Sequence, residues 1–382
     1  MKILTIFSRY FPSEGGIQRV IKNLNEKLAE RGHNVTVLCL HEGKTEIESI
    51  NGVNVIRIPD KRFFPFFDYS FALNNFLIKN TELLYESDII HIHGYHALIP
   101  WQCILLLNKL GFSKKIVYTP HYGGQGSTFP SDILLKVFKC ISKSNFTIPQ
   151  KIVCISEYEK MGIIKNFPNA TKKITLISNG INFQIPTKLI ERKIDSNNIK
   201  ILFVGRVVWQ KGPQYIIKMM SIFRQKYHGN ISLTIIGSGK YEEYLKKYIK
   251  INKIQNVSFE GQISSNQELA DYYKKSDLLI LLSQSESYGL VVAEALVNGV
   301  ITIVSNNTAL KEFGFEKGCF LFDYPPNIEN LADFIHSLCQ NLQQIGPFNP
   351  QKIRDWETAA TEYEAVYNSI YYEYYHSLEK KI

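Results

Sequence analysis

Short apolar runs alternate along this chain with stretches whose apolar positions recur every three to four residues. That is the pattern of strands covered on both faces and joined by helices buried on one side. The run Lys2–Ser8 predicts a first strand, and a loop containing Gly15-Gly16 follows it. Ile17, Val20, Ile21, Leu24 and Leu28 then mark one helix face that ends near Gly32. Val35–Leu40 predicts the next strand, and a strand–helix–strand order of this kind makes a right-handed parallel unit. Apolar runs at Asp88–Ile92, Lys115–Thr119 and Lys151–Ile155 extend the sheet.

After Asn179-Gly180 the polar segment Pro186–Asn198 has few apolar anchors and predicts an inter-domain linker. The alternation then restarts, with strands expected at Ile199–Val204, Ser232–Ile236, Val257–Glu260, Leu278–Leu282 and Ile301–Val304. At 382 residues the chain is long for a single core, which also favours two domains. The expected fold is α/β, with two doubly wound Rossmann-like domains facing across a cleft into which their Gly-rich loops point. Residues 1–184 form the first domain and 185–360 the second. From Trp356 through Tyr363, Tyr367 and Tyr371 to Lys381, aromatics at spacings of four predict a long closing helix. Its part 361–382 is treated as a separate element that can return to the first domain.

Apolar residues at 45% and charged residues at 21% describe an ordinary globular protein and exclude a disordered one. Lys and Arg number 44 against 35 for Asp and Glu, a net charge of +9 that suits nucleotides, an anionic membrane surface or nucleic acid. The chain has no arginine-rich tract, zinc-finger spacing or aromatic RNA-binding signature, so nucleic acid is not expected as a partner. The opening apolar run is cut by Arg9 and the following Pro and Gly, too early for a secretory signal. No stretch reaches the roughly 20 apolar residues of a spanning helix. The nearest, Ala97–Leu107, is too short. Six cysteines without a CxxC pair, mostly in apolar segments, fit reduced core thiols and a cytoplasmic location.

Two segments carry candidate chemistry. In Glu286-Ser-Tyr-Gly289-Leu290-Val291-Val-Ala-Glu294, a glycine turn opens an amphipathic helix between two carboxylates. Gly289 lets the backbone approach a ligand closely, and the first helical N–H groups suit phosphate. Glu294, about one and a half turns into the helix, can accept two hydrogen bonds from a vicinal diol such as a ribose. Glu286 lies before the helix on the loop side. Both glutamates also fit plain solvated charges, since helix starts favour acids. The second segment, Gly205-Arg206-Val-Val-Trp-Gln-Lys211-Gly212-Pro213, joins a strand to a helix with Pro at its first position. Arg206 as a planar fork and Lys211 as a point charge suit a diphosphate at the carboxyl edge of a parallel sheet. A pair of solvated loop cations is the alternative.

Taken together, the Glu286-x7-Glu294 element, the Gly205-Arg206-x4-Lys211-Gly212 loop, the Gly15-Gly16 loop and Asn179-Gly180-Ile181 resemble the retaining, nucleotide-sugar-dependent glycosyltransferases of family four, which have the GT-B fold. The resemblance implies that the C-terminal half binds the donor, with Arg206 and Lys211 on its diphosphate and Glu294 on the ribose. It places Glu286 on the transferred sugar, and the amides of Gly289, Leu290 and Val291 on phosphate. Gly15 and Gly16 belong to the loop that closes on the same phosphates, and His121, in Thr119-Pro-His121-Tyr-Gly-Gly, matches the family's histidine near the anomeric carbon. His121 and Glu286 are thus the expected catalytic residues.

The family implies a UDP- or GDP-sugar donor, a glycan or lipid-linked acceptor, and transfer with retention. It implies no cofactor and no metal, in keeping with the lack of a DxD-type signature. A peripheral place on the inner face of the membrane is left open, as are two alternatives: another GT-B enzyme, such as a nucleotide-sugar epimerase or phosphorylase, and a non-catalytic nucleotide-sugar-binding protein. The chain departs from the family's usual pattern at Ser287, at Val300-Ile301, at Asn182 and at Ser305–Ala309.

Three further segments carry candidate contacts. His91, His93 and His96 suggest a metal cluster, but no carboxylate or Cys joins them at ligand spacing, and the family resemblance, which often includes His-x-His at this strand end, implies a polar acceptor contact instead. Lys61-Arg62-Phe63-Phe64-Pro65-Phe66-Phe67 suits a monotopic membrane contact or a lipid-linked acceptor site or, as the favoured expectation, an aromatic lid or satellite cluster packed on the first domain. Lys136, Lys139 and Lys143 predict a solvated helix face.

Overall fold

A computed structural model describes residues 1–13, 15–60, 69–95, 97–123, 138–191, 194–341 and 348–379. The chain forms two compact units, Met1–Gly180 with Trp356–Ile382, and Ile181–Asp355. The aromatic segment Lys61–Phe67, His96 and Lys136 lie outside the described residues. Of the other two lysines, Lys139 bonds Asn166 and Lys143 is exposed.

In the first unit, eight strands form one sheet: β1 (Lys2–Ile6), β2 (Asn34–His41), β3 (Glu46–Ile50), β4 (Val53–Pro59), β5 (Ile89–His93), β6 (Ile116–Thr119), β7 (Lys151–Cys154) and β8 (Ile174–Leu176). Their order is β3-β4-β2-β1-β5-β6-β7-β8, and every pair is parallel except β3–β4. The chain therefore reverses direction across the sheet between β1 and β5, the kind of crevice where open α/β sheets bind ligands. The loop after β1 carries Gly15-Gly16 and leads into helix Gly16–Glu30, whose Val20, Ile21, Leu24 and Leu28 are buried as the spacing predicts. The loop after β6 carries His121.

The β3–β4 hairpin is absent from the sequence prediction because β3 is almost wholly exposed and has no apolar run. Its turn is made by Asn51 and Gly52, both with positive φ (49° and 81°), as a tight two-residue hairpin requires.

The closing helix runs over Trp356–Glu379 and belongs to the first unit. It begins five residues before position 361 because Trp356 is itself buried, as are Ala359, Ala360, Tyr363 and Tyr367. Arg31 fixes it with a fork onto Glu364, Nε to Oε1 at 2.9 Å and Nη2 to Oε2 at 2.6 Å, and also pairs with Glu357. Its Tyr367 hydroxyl reaches His91 Nδ1 at 2.7 Å.

A two-residue strand, β9 (Gly180–Ile181), lies where the first unit ends. The second unit contains β10 (Asn198–Val204), β11 (Asn230–Ile236), β12 (Val257–Gly261), β13 (Leu278–Leu281), β14 (Ile301–Ser305) and β15 (Cys319–Phe322). They form an all-parallel sheet in the order β12-β11-β10-β13-β14-β15. Here the reversal falls between β10 and β13, so the loops after those two strands leave the sheet side by side. Strand residues such as Ile201, Phe203, Leu279 and Ile303 are fully buried between helix layers, which is why these strands read as continuous apolar runs.

The polar segment expected to be a linker is instead tied to the second unit. Ile190 and Phe348 exchange both backbone bonds (2.8 and 3.0 Å), and Ile185 and Ile194 pack on the core. Three isolated isoleucines are enough to anchor a strap without producing any periodic signal.

Candidate functional site

The loop after β10 bends back at Gly212, which has φ +80° and caps helix Pro213–Tyr227. A Cβ on Gly212 would sit 2.2 Å from the Leu282 carbonyl oxygen, so only glycine fits this contact with the loop after β13. Hydrogen bonds join the same two loops: Gln284 N donates to Gln210 O at 2.8 Å, and Ser283 Oγ to Gln210 O at 3.1 Å. This stitching brings together side chains 75 positions apart: Lys211 Nζ is bonded to Glu286 Oε1, and the two side chains are only 17% and 15% exposed. Arg206, on the same loop, is exposed and has no ion-pair partner among the described residues.

Beyond Glu286 the chain turns at Gly289 (φ +115°), where a Cβ would meet Leu310 Cδ2 at 2.3 Å. Helix Leu290–Val297 starts there. Its first backbone bonds are Val292 N to Gly289 O (3.0 Å) and Ala293 N to Gly289 O (3.3 Å), so the N–H groups of Leu290 and Val291 have no acceptor among the described residues. Two such amides at the positive end of a helix, beside a loop with two cations, are chemically suited to an anion.

Glu294 is 2% exposed, and its Oε2 accepts a hydrogen bond from the Tyr273 hydroxyl at 2.9 Å. Tyr273 comes from helix Asn266–Lys275 and is itself buried. It escaped the sequence reading because a tyrosine on the apolar face of an amphipathic helix is indistinguishable from ordinary core.

In the first unit, Gly15 caps helix Gly16–Glu30 and Gly16 is its first residue. Nothing lies within 4 Å of where a Cβ on Gly16 would be, so the fold of this unit does not itself call for glycine there. His121, beyond β6, is 4% exposed and has positive φ (52°), an uncommon conformation for a residue with a side chain. Its Nε2 lies 3.2 Å from His93 Nδ1.

His91 and His93 are both fully buried, with ring centroids 3.9 Å apart. His91 spends both ring nitrogens inside the protein, on Tyr367 (2.7 Å) and on Thr119 Oγ1 (2.8 Å), so it is a packing residue and the expected acceptor contact is corrected for it. Burial, and then the neighbouring His121, lowers the His91 pKa to about 3. Burial pushes His93 well below the ordinary histidine value as well. Both rings are therefore neutral at physiological pH.

Among the described residues, no group of three or more His, Cys, Asp or Glu is placed to hold a metal ion. No helix among them is long and apolar enough to cross a membrane.

Residues 14–184 match the family described as Glycosyltransferase Family 4, and residues 185–346 match Glycosyl transferases group 1. An uncharacterized glycosyltransferase of Methanocaldococcus jannaschii is 26% identical over 346 residues, covering 87% of each chain. Among solved structures, the sucrose-phosphate synthase from Thermosynechococcus elongatus superposes with a TM-score of 0.75 at 20% identity, covering 97% of this chain and 99% of that one. Anabaena HepE, solved in complex with UDP and glucose, gives a TM-score of 0.65 at 16% identity and covers 100% of both chains. The fold is GT-B.

Proposed function

We propose that this chain, whose residues 14–184 match Glycosyltransferase Family 4 and 185–346 match Glycosyl transferases group 1, is a glycosyltransferase that moves a sugar from a nucleotide diphosphate sugar to a hydroxyl of a carbohydrate or lipid-linked acceptor. Transfer proceeds with retention and without a metal. The observation that carries this reading is the stitched pair of loops after β10 and β13. It puts Lys211 on Glu286 and sets both beside a helix start with two unsatisfied amides.

Arg206, Lys211 and the amides of Leu290 and Val291 hold the diphosphate. Fixed positive groups of this kind stabilise the charge that develops on the leaving nucleoside diphosphate. Glu294 holds the ribose and Glu286 contacts the transferred sugar. His121 acts beside the anomeric carbon, and Gly15 and Gly16 give backbone access to the phosphates. The protein works in the cytoplasm, where a lipid-linked acceptor would bring it to the inner face of the membrane. A uridine donor is the first choice to test, because HepE holds UDP on the same fold.

A thermal-shift panel of UDP-, GDP- and ADP-sugars should show one nucleotide stabilising the protein, by about 2.7 kcal/mol at 100 times its Kd. No shift with any nucleotide sugar would overturn the reading. A shift together with sugar turnover that needs no acceptor would point to an epimerase, and a shift with no turnover of any kind to a binding protein.

Gly16→Ala offers a sharper test of the first unit's part. The added methyl has free space and sits in a helix, so stability should hold or rise by up to about 1 kcal/mol. Donor affinity should nevertheless fall at least about tenfold, or roughly 1.4 kcal/mol, if the backbone there approaches phosphate. Calorimetric titration alongside a melting curve separates the two effects, and unaltered affinity would remove Gly16 from the site.

A further inference from the structure

His121 occupies a sparsely populated backbone region, and such conformations persist only where the surroundings over-determine them. The next residue, Tyr122, is gripped by helix Glu157–Asn166. Its N–H donates to Glu159 Oε1, its hydroxyl accepts from Asn166 Nδ2 at 3.0 Å, and its ring lies 3.4 Å from where a Cβ on Gly162 would be. Ser156 caps the same helix, accepting from Glu159 N at 3.1 Å.

A glutamate at this position of a capping box reaches back toward the start of its own helix. Here Glu159, 0% exposed, sends Oε2 to the Ile155 N–H at 2.7 Å and Oε1 out of the helix altogether, to the peptide that follows His121. One buried carboxylate thus joins the end of β7, the start of a helix and the loop after β6. Charge-assisted bonds to backbone N–H groups are among the stronger hydrogen bonds a protein makes.

We propose that Glu159 is a positioning residue for His121: by clamping the Tyr122 N–H it holds the left-handed backbone that aims the imidazole. The ring is steadied from its other side by His93. This inference rests on the role given to His121 above.

Its test is a double-mutant cycle on turnover at saturating donor, with donor Kd measured in parallel. Glu159→Gln keeps the side chain's size but has a single acceptor oxygen for the two N–H groups. It should lower kcat by about 10- to 100-fold, because displacing a reacting group by about 1 Å costs on the order of 10²-fold. Donor Kd should change less than about twofold. In a His121→Ala background the same change should have no further effect on kcat, since the residue being aimed is gone.

An equal loss in both backgrounds would mark a general packing defect and overturn the proposal. An unaltered kcat in Glu159→Gln, with His121→Ala still impaired, would overturn it while sparing the role of His121. Unaltered turnover in His121→Ala would remove both. Should Glu159→Gln fail to fold, hydrogen exchange in the unmodified protein decides: the Tyr122 amide should be protected like those of β6, and exchange as fast as an open loop would overturn the clamp.

Discussion

Glu294→Ala should weaken nucleotide-sugar binding by roughly 2–4 kcal/mol, about 30- to 1,000-fold in Kd. The carboxylate sits in the second turn of helix Leu290–Val297, 2% exposed, with Tyr273 donating to Oε2 at 2.9 Å. A ribose diol bound to an ionised carboxylate in so dry a position makes charge-assisted hydrogen bonds, about twice as strong as neutral ones. Truncation removes them and also leaves the Tyr273 hydroxyl without this partner, so part of the loss is a cost to the fold. Tyr273→Phe separates the two contributions. It should lower stability by about 1 kcal/mol and leave donor affinity within a few-fold, because the carboxylate proposed to hold the ribose is still present. Calorimetric titration with the donor nucleotide gives the binding effect and urea unfolding the stability effect. Unchanged affinity in Glu294→Ala would take Glu294 out of the donor site.

What the sequence made legible and what it hid follow from how each residue is buried. Ile199–Val204 and Leu278–Leu282 announce themselves because a strand covered on both faces must be apolar throughout, and the loops that follow them inherit their place at the sheet's edge. That placed Arg206 and Lys211 on one strand-end loop and Glu286 on another, and the pairing of β10 with β13 makes the two loops neighbours. The direct bond between Lys211 and Glu286 was not legible, because it depends on Gly212 fitting under the Leu282 carbonyl, a fact of three dimensions.

The pattern fails where burial is achieved by polar residues or by single anchors. β3 shows Glu46, Glu48 and Ser49 to solvent and has no run to detect. His91 looked like a polar contact on a strand face, yet its partner, Tyr367, lies 276 residues on. Glu159 reads as one more charge at a helix start, and only the path of its carboxylate to the Tyr122 N–H distinguishes it.

The bond between Lys211 and Glu286 has the second large consequence, because it joins the group assigned to the diphosphate with the group assigned to the sugar. A nucleoside diphosphate must share Lys211 with Glu286 and sit near a like charge. At about 4 Å and an effective dielectric constant of about 20, that repulsion is of order 4 kcal/mol, reduced by solvent at these partly exposed side chains. Glu286→Gln removes the repulsion and frees the lysine's charge for phosphate. The free nucleoside diphosphate should therefore bind about tenfold more tightly, roughly 1.4 kcal/mol, and the gain should shrink as salt is raised. Sugar transfer should fall at least about 100-fold over the same substitution, since the carboxylate assigned to the reacting sugar is lost. Opposite movements of affinity and turnover are the signature of a residue that serves the sugar at the expense of the leaving group. If Glu286 served only to hold Lys211 in place, Glu286→Gln should instead weaken the nucleotide, as Lys211→Met is expected to do, and the assignment of Glu286 to the sugar would fall.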